Sequence, residues 1–325
     1  MTDPSLNPPT TSPALESPIM GASTPGSPAM GTGPEDATRA SQEGKPSSLW
    51  GDARRQLVRS PIFMLSLLYL LVVTSMAVFP KLWTSQDPFN CSISQSRQPP
   101  TSGHPFGFNL LGCDYYAHAI YGARPSLAIA VVATAAVIVI GGAIGLLSGF
   151  FGGWLDAILS RITDIFLALP FLLGALVVLA MVSSRNIWTV AMVLTVLGWT
   201  VIARILRGSV IEARNLDYVQ AARALGATNS RIMFKHILPN TLAPVVVYAT
   251  IMLGGFVSAE ATLTFLGVGL QPPSASWGVM INMHQQYFDT DPWLLLFPVG
   301  LLVGTVLSFI LAGDALRDAL DPKLQ

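Results

Sequence analysis

The residues richest in chemical information lie at 215–239, where Asn215-Leu-Asp-Tyr-Val-Gln-Ala-Ala-Arg-Ala-Leu-Gly226 runs on into Ala-Thr-Asn-Ser-Arg-Ile-Met-Phe-Lys-His-Ile-Leu-Pro239. Asn215 is a suitable helix N-cap, Asp217 suits the positive first turn, and Gly226 is a natural left-handed terminator. Tyr218, Ala221, Ala222 and Leu225 stand at i, i+3, i+4 and i+7, so a helix there gathers them on one face. Two adjacent alanines on that face let a partner approach closely. A second short helix is predicted from Thr228 and should stop before Pro239, because the proline ring disfavours helical backbone at Leu238. The chemistry of such a pair is recognition, not bond making. It reads either as a rigid knob for a partner protein or as a hairpin lying on lipid headgroups, which Arg207, Arg214, Arg223 and Arg231 would favour.

Other reactive residue types are sparse. Asp164 and Glu260 are the acids nearest apolar segments, and an acid inside a membrane segment is a functional candidate by default. Asp164 stands near Arg161 and is expected to pair with it. Glu260 suits an external gate, a contact to a peptide amine, or a packing hydrogen bond. Cys91 and Cys113 fall in one segment and suit either a disulfide or two free thiols; two cysteines exclude a four-thiolate metal site. The four histidines lack the HExxH spacing, so no metal site is expected, and no Walker A pattern supplies an ATP cradle. Neither a buried nucleophile with its base nor a facing aspartate pair stands out, which argues against an intramembrane hydrolase.

These residues need elements to hold them, and composition says of what kind. The 325 residues are 51% hydrophobic and 11% charged, with mean hydropathy +0.55, whereas about a quarter of an ordinary soluble domain is charged. Lys plus Arg equals Asp plus Glu at 18 each, so no net field marks a nucleic-acid binder. The expected fold is all-α and polytopic, with six spans of about 20 residues. They are Pro61–Trp83, Ser126–Ser148, Asp164–Ser183, Asn186–Ile205, Thr241–Phe265 and Pro292–Gly313. Gly141, Gly145, Gly149 and Gly153 recur every four residues, a stripe suited to close helix packing and, as a sharper alternative, to a hinge.

With the N-terminus inside, 14 of the 18 Lys and Arg fall on the cytoplasmic side, so the positive charges select an N-in, C-in topology. Residues 84–124 then form an external segment and 206–240 the longest cytoplasmic loop. Residues 49–60 are juxtamembrane and 61–325 the six-span domain. Of residues 1–48, 28 are Pro, Ser, Thr or Gly and none is aromatic, a composition expected to stay a disordered cytoplasmic tail.

Gln220-Ala221-Ala222, Gly226 and Ile237-Leu238-Pro239 resemble the EAA loop of ABC importer permeases, with Gln220 in place of the leading Glu. Further similarity to dipeptide, oligopeptide and nickel permeases lies in His104-Pro-Phe-Gly, Gly112-Cys-Asp114, Ile120-Tyr-Gly-Ala-Arg124 and Asp164-Ile-Phe-Leu-Ala-Leu-Pro170. It continues through Thr264-Phe-Leu-Gly-Val-Gly269, Gln271-Pro-Pro273, Trp277-Gly278 and Gly313-Asp-Ala-Leu-Arg-Asp-Ala-Leu-Asp-Pro322. The match covers about residues 55–325 and is that of the C-type partner of a two-permease pair. The resemblance implies a type I ABC importer permease fold in the bacterial cytoplasmic membrane. It implies a homologous second permease, two cytoplasmic ATPases and an external substrate-binding protein as partners. ATP and Mg would bind to the ATPases and no cofactor to this chain. Tyr218, Gln220, Ala221, Ala222, Leu225, Gly226, Ile237 and Pro239 are then the ATPase-coupling residues. The substrate would be a di- or oligopeptide, with nickel complexes or glutathione as the alternatives within the family. A secondary transporter remains the rival, although it would need its own coupling-ion site near the midplane.

Overall fold

The computed structural model describes residues 49–320, and the proposed tail at 1–48 lies outside them. Helix α1 (Leu49–Arg59) precedes α2 (Pro61–Val78). Ser60 divides them: its hydroxyl accepts from the Phe63 N–H at 3.4 Å while Pro61 takes the first helical position, where no N–H is needed. Then come α3 (Tyr115–Phe151), α4 (Gly153–Leu167), α5 (Phe171–Met181) and α6 (Ile187–Arg214). Helix α7 (Asp217–Ala224) leads into a composite helix α8 (229–241), followed by α9 (Ala243–Phe265), α10 (Trp277–His284) and α11 (Trp293–Leu320). Among the described residues there are three isolated β-bridges and no strand.

Five helices, α2, α3, α6, α9 and α11, are long and apolar enough to cross a membrane. The sixth crossing differs from the single span expected over 164–183. The pair α4 and α5, bent by 81° at Ala168–Pro170, passes the same test only when taken together, which makes six crossings if the pair is one broken span. Pro170 lacks an N–H and disfavours helix at Leu169, so the chain breaks there and restarts at Phe171. Both long central helices also outrun their predicted lengths. Asp114 caps α3, its carboxylate accepting from the Ala117 N–H at 2.6 Å. Asn186 caps α6 by accepting from the Thr189 N–H at 3.0 Å.

The most extensive seam is α3 against α6, and the glycine stripe makes it. A Cβ at Gly141 would lie 2.5 Å from the Trp199 carbonyl, and one at Gly149 would lie 2.9 Å from that of Arg207. Gly145 faces the Ala203 backbone as closely. Gly153 is not part of this stripe: its φ is +58° and nothing lies near its missing side chain, so it starts α4 by turning the chain.

At one end of the bundle, Cys91 and Cys113 are joined by a disulfide. The loop they close is tied down by Arg97 to Asp291 at 3.1 Å and by His104 to Asp114 at 2.5 Å. At the opposite end, α6 runs out into α7 and α8.

Candidate functional site

Helix α6 stays helical to Arg214, so the loop is shorter than the expected 206–240. Asn215 caps the C-terminus of α6, donating from its side-chain amide to the Ile211 carbonyl at 3.1 Å, and does not start α7 as predicted. Leu216 is the N-cap of α7 and makes no side-chain capping bond. Gln220 donates to the Arg214 carbonyl at 3.2 Å, satisfying an orphan acceptor at the end of α6. An ionised Glu there could not donate, so this contact depends on the amide.

Gly226 adopts φ +79°, and the following N–H of Ala227 reaches back to the Ala222 carbonyl at 3.0 Å, closing α7 as predicted. Thr228 caps the next turn by accepting from the Arg231 N–H at 3.4 Å. That helix does not stop before Pro239. Residues Ile232–Ile237 widen into a π turn, in which the Leu238 N–H reaches the Met233 carbonyl. The following turn, Leu238–Thr241, takes Pro239 at its second position, where its absent N–H costs nothing.

Packing sorts the predicted coupling residues into two groups. Tyr218, Gln220, Ala221, Leu225, Gly226 and Pro239 are exposed, with Leu225 at 89%. Ala222 is half-buried and packs on the core, and Ile237 is fully buried. Both were expected at the contact face and instead form its support, together with Val219, Ile232 and Met233. The π turn shifts the register and turns Phe234 outward, 58% exposed. Sequence periodicity missed it, because a single π turn cannot be told from α by spacing. Exposed Leu216, Tyr218, Leu225 and Phe234 therefore sit on a rigid, internally packed knob.

Asp164 does not pair with Arg161. It accepts from Arg204 of α6 at 2.8 Å, since the α4–α6 crossing brings that guanidinium to it. A second pair next to it is bidentate: Arg207 holds the two Asp156 oxygens at 2.6 and 2.7 Å, and Ser148 and Ser160 also donate to that carboxylate. Arg214 donates to the carbonyls of Gly149 and Phe150 at 3.1 and 3.2 Å. The knob is thus wired through α6 to the ends of α3 and α4. Asp164, Ser148, Thr163, Arg204 and Arg207 line a polar hollow of about 230 Å³ at this end.

Glu260 lines no opening. It is fully buried, accepting from Ser126 at 3.0 Å, Thr264 at 3.0 Å and Ser276 at 3.1 Å, so it ties α3, α9 and the start of α10 together. Of the alternatives its sequence left open, the packing hydrogen bond is the one these contacts form, with the carboxylate facing α3 and α10. An apolar groove lies elsewhere. It holds about 550 Å³ between α5, α6 and α9 and is lined by residues including Phe171, Leu172, Leu197, Tyr248, Met252 and Thr262.

Residues 141–325 match the family described as the binding-protein-dependent transport system inner membrane component, and 48–100 match the N-terminal TM domain of oligopeptide transport permease C. The chain belongs to this permease family. It is 37% identical over 290 residues to the oligopeptide transport system permease protein OppC of Bacillus subtilis (strain 168), covering 89% of this chain and 94% of that one. It is 36% identical over 278 residues to the dipeptide transport system permease protein DppC of Alkalihalophilus pseudofirmus, covering 86% and 91%. A chain from the inward-facing MetNI methionine ABC transporter superposes with a TM-score of 0.52 at 26% identity, over 62% of this permease and 96% of that chain. The permease is accordingly an all-α, multi-pass membrane subunit of a transport system. The bent α4–α5 pair and the knob both fall within the 141–325 family region.

Proposed function

We propose that this permease imports di- or oligopeptides as the C-type half of an ATP-driven transporter in the bacterial cytoplasmic membrane. Two cytoplasmic ATPases bind and hydrolyse ATP with Mg, an external binding protein delivers the peptide, and a homologous second permease completes the path. One observation carries the reading: α7 and α8 present Tyr218, Leu225 and Phe234 on a knob whose interior is packed solid. Exposed apolar side chains on a rigid support, at the end of a long helix, suit docking into a groove of another subunit. The names of the oligopeptide and dipeptide relatives support the substrate class.

Docking has a route to the spans. A push on α7 reaches α6 directly. Arg204 and Arg207 then carry it to Asp164 and Asp156 on α4, the first half of the bent crossing. The apolar groove lies beside that crossing, between α5, α6 and α9. Two nucleotide states of the ATPases would bias two arrangements of these helices, which is what alternating exposure of a path requires. In membrane vesicles containing all the subunits, ATP should drive uptake of labelled peptide. Leu225→Asp should insert normally yet lower both uptake and substrate-stimulated ATP hydrolysis at least tenfold. Undiminished uptake in that variant, or uptake by this chain without ATPases, overturns the proposal.

A further inference from the structure

Helix α1 carries three arginines, Arg54, Arg55 and Arg59, all exposed, and none forms an ion pair among the described residues. The opposite face of α1 is spoken for. Ala53 is 2% exposed, Leu57 is half-buried, and the helix packs on α11 and α2. Gly51, Arg54, Arg55 and Val58 stand at i, i+3, i+4 and i+7 and so share one face, with Arg59 alongside. Together these five line an open hollow of about 360 Å³ along one side of α1. Val58, 59% exposed, is an apolar side chain left open beside the arginines on this face. Asp314 and Asp318 of α11 line a separate hollow with Gln56, Leu57 and Ser60, and α1 itself carries one acid, Asp52, against its three arginines, so the helix keeps a net positive charge.

The depth of this hollow in the membrane follows from its neighbour. Helix α2 has 18 residues, about 27 Å at 1.5 Å per residue, and a bilayer core is about 30 Å thick. All of α2 is needed to cross, so Pro61 marks the edge of the hydrocarbon and α1 lies at headgroup level. We propose that the hollow formed by Gly51, Arg54, Arg55, Val58 and Arg59 binds the phosphate headgroup of an anionic phospholipid. The guanidinium groups donate to the phosphate oxygens, and Val58 meets the top of an acyl chain, as on helices that lie in the interface. Such a lipid would pin the start of α2 and, through α1, the end of α11.

The test is native mass spectrometry of the intact transporter released from nanodiscs of phosphatidylglycerol mixed equally with phosphatidylcholine. Wild type should retain phosphatidylglycerol in preference. Each lost arginine should lower that preference about fivefold, so Arg55→Gln should show a fivefold loss and the triple Arg→Gln variant a loss of about two orders of magnitude. Gly51→Leu keeps every charge but fills the hollow, and it should also release the lipid. It keeps the test open should the triple variant fail to insert. A wild type with no preference, a triple variant that keeps it, or a Gly51→Leu variant that binds as wild type would each overturn the site. So would capture of another protein subunit by a crosslinker at Arg55→Cys.

Discussion

Gly141 and Gly142 are neighbours on α3, yet alanine at each should act with opposite sign. A Cβ at Gly141 would sit 2.5 Å from the Trp199 carbonyl oxygen and 3.2 Å from the Ala203 nitrogen, both backbone atoms of α6. It falls about 0.9 Å short of the 3.4 Å at which ordinary contact begins, and backbone in a helix cannot step aside as a side-chain tip can. The two helices must separate along their longest seam, an overpacking cost of about 1–3 kcal/mol, only partly offset by the 0.5–1 kcal/mol or so that alanine gains over glycine in a helix. At Gly142 the nearest atom is Leu206 Cδ2 at 3.8 Å, an ordinary contact. Gly142→Ala should therefore keep the helix gain of about 0.5–1 kcal/mol without the clash. The helix gain is common to both variants, so the expected gap is the overpacking cost of about 1–3 kcal/mol, or roughly 2–6 °C in a domain of this size. The assay is the temperature at which half of the detergent-purified permease leaves the monodisperse peak. If Gly141→Ala melts at or above Gly142→Ala, the account of the α3–α6 seam fails.

Two further outcomes follow from buried polar groups. Glu260→Ala should cost roughly 3 kcal/mol or more, because it leaves the Ser126, Thr264 and Ser276 hydroxyls without their acceptor; Glu260→Gln, which keeps one acceptor oxygen, should cost less, and equal melting of both variants would refute the packing role. His284 of α10 is buried beside Tyr115 and bonded to the Met280 carbonyl at 2.7 Å, and burial holds its pKa below the ordinary histidine value. Its unfolded form takes a proton near pH 6.5 while the folded form resists. Stability should therefore be full above that pH and fall as pH drops from about 6.5 towards the lowered folded value. Melting curves of wild type and His284→Gln should diverge in that window, and parallel curves would refute the assignment.

Much of the fold was legible because lipid leaves few choices. Twenty apolar residues imply a helix, and Pro61, Asn186 and Gly226 mark helix ends through local chemistry, whereas the start of α3 at Tyr115, eleven residues before the expected Ser126, was not read. The failures share a cause: they needed partners distant in sequence. Asp164 stands three residues from Arg161, yet its cation is Arg204, delivered by a helix crossing that no local pattern encodes. Glu260 stayed open between gate, substrate contact and packing because its three hydroxyl partners are spread over 150 residues, from Ser126 to Ser276. Asn215 and Pro239 misled for the opposite reason. Each follows a sound local rule, but α6 had enough packing on α3 to continue to Arg214, and a π turn absorbed the proline. At the knob, the spacing placed Tyr218, Ala221 and Leu225 on the outer surface, whereas Ala222, Ile237 and Phe234 depended on how α7 folds back over α8.

A photocrosslinker replacing Leu225 in intact cells reads out whether the knob meets a nucleotide-hydrolysing subunit. Leu225, 89% exposed, should capture an ATPase subunit in high yield, whereas the same reagent at Leu111, 54% exposed on the disulfide end, should capture none. Crosslinks from Leu225 to lipid alone, or an ATPase captured from Leu111 instead, would contradict the account.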